Sequence, residues 1–422
     1  MVAGAVMFTA AGTPRAADLP PVDPDPVRAA FFDDAIFTLH LRSYLFDQSH
    51  NEGDDPAAWA IGGWVGYETG WLADILKFGA VGYTSQPLWA PPDREGSLLL
   101  LPDQDGFSVL GQAYAALRYD DQVLTLYRQL VNQPEVNPHD NRMVPNTFEG
   151  GSLAGKFDSF AYYAAYLTRM KTRDADDFVN MAKIAGAGQD EPMYLGGLSF
   201  SRDEDFKAQS SLYVIPNLLV SSYSDAKLTV GQVDHSRFNL SGQFMIQSGI
   251  GEQLLTGTDF ESWVFGIKGD IICGGLTLTA GYTANGSDDD WRAPFGAWPG
   301  YTNMIIGVFS RAQEQALLLG ASYDLADLGI EGLNVGVNAA FDTAVAQDLP
   351  TWSEVDFNAG YSLSSVSDIP AWLSPLSFQA YFALLQSDYP GGGSNLSNEL
   401  RLMLNYEVQS RGRDLFSSRA SP

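Results

Sequence analysis

The chain is poor in basic residues, in cysteine and in long apolar runs, and each shortage closes off a class of protein. Lys and Arg number 24 against 51 Asp and Glu, a net charge of −27 over 422 residues. Proteins hold nucleic acid by neutralising its phosphates, so no nucleic-acid partner is expected of a chain of this sign. One cysteine, Cys273, permits no internal disulfide. Four scattered histidines leave no cluster for zinc, so neither a metal nor a cofactor is expected. No segment reaches the 18 apolar residues of a membrane helix; the longest aliphatic block, residues 98–101, has four.

What remains is unusual for a soluble chain of this length. Charged residues are 18%, where a typical globular domain has about 25%. Aromatics reach 12% and Gly 42 residues, so the composition is that of a packed structure rather than a disordered one. Mean hydropathy is nevertheless close to zero, −0.09. A membrane β-barrel reconciles these numbers, because lipid-facing and water-facing residues alternate and cancel in any window.

The dominant pattern has period two, which places successive side chains on opposite faces of a strand. Along residues 400–408, Leu400, Leu402, Leu404, Tyr406 and Val408 oppose Arg401, Met403, Asn405 and Glu407. The same split recurs over 276–285, 333–342 and 354–363, and in weaker form at fifteen further places, among them 217–223 and 226–234. The polar faces are rich in Asn, Thr, Ser and Gly and poor in Lys. That composition suits a narrow hydrated lumen better than an open surface. Connections alternate between short, such as Asp120-Asp121, Ser224-Asp225 and 325–332, and long, such as 85–106, 132–146, 173–191 and 285–313. Short turns at one rim and long loops at the other are the plan of outer-membrane barrels. The expected fold is therefore all-β: a transmembrane antiparallel up-and-down barrel of about 18 strands.

Residues 1–17 read as the remnant of a secretory signal and 18–34 as a Pro-rich segment, extended over 19–26. The barrel is expected over 35–408, with a C-terminal tail at 409–422. The alternative that the pattern leaves open is a secreted soluble all-β binding or adhesin-like protein. An enzyme is not expected: His40, His50, His139 and His235 stand apart, with no spacing that suggests a nucleophile and its base.

The segment 132–150 carries Asp140-Asn141-Arg142-Met143-Val144-Pro145-Asn146-Thr147, and with it the chain resembles the OprD family of substrate-specific outer-membrane porins. Collinear stretches extend the resemblance over almost the whole chain: Leu41-Arg42-Ser43-Tyr44, Trp59-Ala60-Ile61-Gly62-Gly63, Leu318 to Asp324, and Asn398-Glu399-Leu400-Arg401-Leu402. The resemblance implies an outer-membrane channel in a Gram-negative bacterium, with the third long loop folded inward as the constriction. It also implies passive uptake of small hydrophilic solutes, usually carboxylate-bearing, along a ladder of basic side chains. The partners implied are such solutes and outer-membrane lipid, with the protein a monomer or weak homo-oligomer.

On this reading Arg42, Arg128 and Arg401 are the ladder candidates, and Asp140 and Arg142 belong to the constriction loop. Arg suits the ladder because its planar fork pairs bidentately with a carboxylate and stays charged. The chain departs from the family at residues 377–386, where the penultimate strand has no cation at all. The ladder is thus thinned, and with acidic loops around it the sign of selectivity is open.

Overall fold

The structure, a computed structural model, describes residues 25–51, 53–233 and 236–416. The expected signal remnant lies outside them. The strands, in chain order, are β1 Ile36–His50, β2 Ala57–Glu68, β3 Leu76–Trp89, β4 Phe107–Tyr119, β5 Gln122–Gln129, β6 Thr147–Phe157, β7 Phe160–Lys171, the two-residue β8 Val179–Asn180, β9 Met193–Ser201, β10 Phe206–Ile215, β11 Leu219–Val233, β12 Ser236–Gly249, β13 Glu261–Cys273, β14 Leu276–Asn285, β15 Gln315–Asp324, β16 Leu333–Ala344, β17 Thr351–Ser362, β18 Leu376–Asp388 and β19 Ser394–Arg411.

Each strand pairs antiparallel with the next, except that β9 pairs with β7 and β8 only extends the edge of β7. Pairing of β1 with β19 closes the ring at 18 strands. Closure leaves the ring without an open strand edge, which is the condition for crossing a bilayer with strands. The outward side chains, such as Leu41, Val65, Phe265, Ile267 and Leu402, are exposed apolar groups. The inward ones on β1 are His40, Arg42, Tyr44 and Phe46, all buried.

One rim carries the two-residue turns 120–121, 158–159 and 274–275, beside longer connections at 69–75, 325–332 and 363–375. Asp120 and Asp158 take φ of +49° and Gly274 +56°, as tight hairpins require of their first residue. The opposite rim carries the longest loops, among them loop two (residues 90–106), loop three (130–146), loop four (172–192) and loop seven (286–314). Gly63, at φ +119°, lies where β2 runs tightly against β1. A Cβ there would overlap the His40 carbonyl oxygen, so the register beside Arg42 depends on glycine.

Two expectations are corrected, and the extended stretch expected over 19–26 lies almost wholly outside the described residues. Ser224-Asp225 is no turn, because both residues lie within β11, paired with Phe244 and Gln243 of β12. The two short candidates flanking it are one strand, broken in the sequence pattern by an inward aspartate. At the chain ends, β19 runs to Arg411 and continues as a short helix, α3 (Gly412–Phe416), where a tail from 409 was expected. Within the Pro-rich segment, Pro26–Arg28 is a helical turn whose Val27 and Arg28 amides donate to Asp25, and a π-helical turn Ala29–Asp33 follows. This turn is tied to the rim by the Tyr67 hydroxyl on the Phe31 carbonyl (2.5 Å) and the Gly70 amide on Ala30 (2.7 Å).

Candidate channel constriction

Loop three leaves the rim and crosses the lumen. At one end it docks on β1 through Arg42. The Arg42 guanidinium donates to Asp140 Oδ1 (2.8 Å) and Oδ2 (3.3 Å), to the carbonyl of Arg142 and to that of Met143 (3.4 Å), while its Nε holds Asn405 Oδ1 of β19 (2.8 Å). The Tyr44 hydroxyl adds a bond to the Asn141 carbonyl (3.1 Å). Arg142 is buried: its Nε donates to the Ser97 carbonyl of loop two (2.9 Å), and its guanidinium lies 4.8 Å from the centroid of the Phe46 ring. Met143 and Val144 fill the apolar cluster of Tyr44, Phe46, Tyr83 and Leu99 beneath them.

At the other end Glu135 of loop three accepts from the Ser221 hydroxyl of β11 (2.5 Å). In the ring β1 and β11 stand nine strands apart in either direction, so the loop is held on diametrically opposite walls. Burial pushes the Glu135 carboxyl up to about 7, against the lowering effect of hydrogen bonds from Ser221 and Gln247. Midway, Asn137 binds loop seven in both directions: its amide donates to the Phe295 carbonyl (3.2 Å), and its Oδ1 accepts from the Ala297 amide (2.9 Å). Val136 and Phe295 share one apolar cluster with Leu167, Met170 and Tyr213 of the wall. From loop four, Arg173 reaches His139 Nε2 (2.9 Å) and the Asn141 side chain. Burial, reinforced by Arg173, Arg142 and Arg401, holds His139 down to about 3, so it is a neutral acceptor.

Loop seven is anchored in the same way. Glu354 of β17 accepts from the amides of Ile306 (2.7 Å) and Gly307 (2.6 Å), and Asp356 from that of Ile305 (3.1 Å). Arg401 of β19 pairs with Glu399 and donates to the Ile305 carbonyl (3.1 Å). Arg42 and Arg401 stand four residues apart in the seam register, and each is engaged by an inward loop, Arg42 by loop three and Arg401 by loop seven.

Arg128 does not join them. Alternation on β5 puts Gln129 and Thr125 inward and Leu126, Arg128 and Leu130 outward. Arg128 stands in register with Ala113 and Glu149 and bonds Glu149 Oε1 at 2.9 Å on the outer face of the barrel. The expected ladder position is corrected for a plain reason: the leucines flanking Arg128 at spacing two share its face.

A second set of lumen cations escaped sequence reading. Lys207 pairs with Lys227, Lys227 with Ser241, and Ser241 with Lys268, on β10 to β13. The row faces inward with buried Ser241 and Gln243. Among the described residues none of the three lysines has a carboxylate within 4.0 Å; the Lys268 ammonium lies 5.3 Å from the Tyr301 ring centroid. Each lysine is unremarkable within its own strand. Only their register, which alternation does not supply, aligns them.

A closed barrel with an apolar exterior and a lumen narrowed by two anchored loops is an outer-membrane channel, and the soluble all-β reading fails on that exterior. The sequence profile of the outer membrane porin, OprD family, matches residues 29–410, and the chain belongs to that family. Solved structures similar to it include Pseudomonas aeruginosa OccK9 (OpdG), at 21% identity and TM-score 0.80, covering 90% of this chain and 100% of that one. Pseudomonas aeruginosa OpdK with vanillate follows at 20% and 0.77, with the same coverage. Acinetobacter baumannii OccAB1 matches at 16% and 0.79, over 90% of this chain and 98% of that one. No curated protein sequence matches. The protein is a porin channel of the Gram-negative outer membrane.

Proposed function

We propose that the channel passes small hydrophilic solutes bearing a carboxylate, of amino-acid or organic-acid type, by passive diffusion. The observation that carries this reading is the inward row Lys207, Lys227 and Lys268, whose ammonium groups have no carboxylate partner among the described residues. In a constricted, partly dehydrated lumen an ion pair is stronger than in bulk water, and several sites of similar energy let the solute leave again. Arg42 and Arg401 act here as clamps that hold loops three and seven and so set the width of the opening. Asp140 lies on the edge that the loop presents, and Arg142 ties that edge to loop two. The OpdK relative holding vanillate, a carboxylate, supports the solute class. The protein is proposed to work in outer-membrane lipid as a monomer or weak homo-oligomer, since a single closed ring already encloses the path.

The test is liposome swelling with a matched carboxylate and amide pair, together with reversal potentials in planar bilayers. Lys227→Gln with Lys268→Gln is expected to slow the carboxylate about threefold or more relative to the amide and to shift the reversal potential toward cations. Equal slowing of both solutes, or an unchanged potential, refutes the assignment.

A further inference from the structure

The outer face of the barrel carries charge where lipid contact alone would select apolar side chains. Along β5, β6 and β7 one outward register row reads Arg128, Glu149, Arg169 and ends on Asn180 of β8. The row lies at the long-loop ends of these strands. Arg128 Nε is 2.9 Å from Glu149 Oε1, and Arg169 Nη1 is 3.8 Å from Oε2 of the same carboxylate. The Phe178 ring of loop four covers the Arg128 guanidinium at 4.1 Å, whereas the Arg169 side chain is 59% exposed. Toward the membrane centre the next outward row is Leu126, Gly151 and Tyr166. The Tyr166 and Tyr194 rings there lie 5.3 Å apart.

These observations fix the depth of the row. A lipid-facing arginine is costly at the bilayer midplane but nearly free at the interface, where aromatic girdles mark the boundary. An ionisable row directly above exposed tyrosines stands at that boundary, level with headgroups. Two guanidinium groups share one carboxylate, so the row keeps a net positive charge on a chain that is otherwise −27.

We propose that Arg169 and Arg128 bind the phosphate of an anionic lipid headgroup in the outer leaflet. The guanidinium fork matches phosphate oxygens bidentately. Glu149 holds the two forks one strand spacing to either side of itself, about 4.8 Å, and Phe178 restricts Arg128. Arg169, exposed and outward, makes the first contact. The occupant is a lipid rather than a free anion because the row opens onto the acyl layer beside Leu126 and Tyr166, which would receive the chains.

The experiment is native mass spectrometry of the detergent-purified porin titrated with lipid A bearing both phosphates, with dephosphorylated lipid A and with inorganic phosphate. Wild type is expected to retain the diphosphorylated lipid about tenfold better than the dephosphorylated one. Arg128→Ala with Arg169→Ala should remove the difference while single-channel conductance is unchanged. Glu149→Gln, which removes the competing carboxylate, should strengthen retention. Equal retention of the two lipids by wild type, full retention by the double variant, weaker binding by Glu149→Gln, or displacement of the lipid by millimolar phosphate would each overturn the proposal.

Discussion

Arg42 of the first strand and Asp140 of loop three form an ion pair at 2.8 Å that fastens the constriction to the seam where the barrel closes. The same guanidinium reaches Asn405 on the last strand and two loop carbonyls, so one side chain joins β1, β19 and loop three. The eyelet is therefore as rigid as the seam, because both are held by one buried group.

Removing that group should loosen the loop without opening the barrel. A hydrogen bond to a charged group contributes about 1.5–3 kcal/mol, and Arg42→Ala loses several at once. Larger and noisier single-channel currents are expected, with faster amide exchange across residues 139–144. Arg42→Lys, lacking the fork, should restore the current only in part. A quiet channel of unchanged conductance in Arg42→Ala would show that the clamp is not needed.

At the opposite anchor the prediction concerns pH. The folded-state pKa of Glu135 is raised by burial from 4.5 to about 7, so the native state holds this proton longer than the unfolded chain does. Its contribution is whole below about pH 4.5 and is lost as pH rises toward 7, a total of about 3 kcal/mol at 1.36 kcal/mol per unit. Above neutrality the charged carboxylate keeps the Ser221 hydroxyl on Oε1, and Oε2 has no partner. Amide exchange around residues 133–137 should therefore accelerate between pH 5 and 8 beyond its intrinsic base dependence. In Glu135→Gln this excess should vanish.

Loop seven offers a separate test at Glu354, whose two oxygens take the Ile306 and Gly307 amides. A glutamine presents one acceptor in place of two, and its amide group opposes an N–H. Glu354→Gln should release residues 305–307 and raise the frequency of brief conductance steps, while the Arg42 clamp and its current level persist.

The close approach of β2 to β1 at Gly63 predicts an assembly defect. Gly63→Val adds bulk against the His40 carbonyl at a φ that branched residues rarely adopt. Wild type should migrate faster on SDS gels before boiling than after, and the variant should lose most of that folded band. Full retention of the band would mean that the seam tolerates a shifted register.

Alternation along β1 and β19 placed Arg42 and Arg401 on the polar face from sequence alone, because a strand has period two whatever surrounds it. The motif around Asp140 and Arg142 likewise marked the loop that constricts the lumen. The break at Asp225 misled, since a Ser-Asp pair reads as a turn until the neighbouring strands continue straight through it. Arg128 misled for a related reason: a cation stands out in the sequence, but its outward partners Leu126 and Leu130 decide its face.

Sequence by itself determined the shortage of basic charge, the alternation of faces and most of the long and short connections, all local properties of the chain. Only the tertiary structure decided which cations meet. Strand register aligned Lys207, Lys227 and Lys268 across four strands and drew Arg128, Glu149 and Arg169 into one outward row. Ring closure set Arg42 against Asn405 and placed Ser221 across the lumen from it. These pairings join residues that are distant in the chain, and their geometry comes from hydrogen-bonded register, which no single strand encodes.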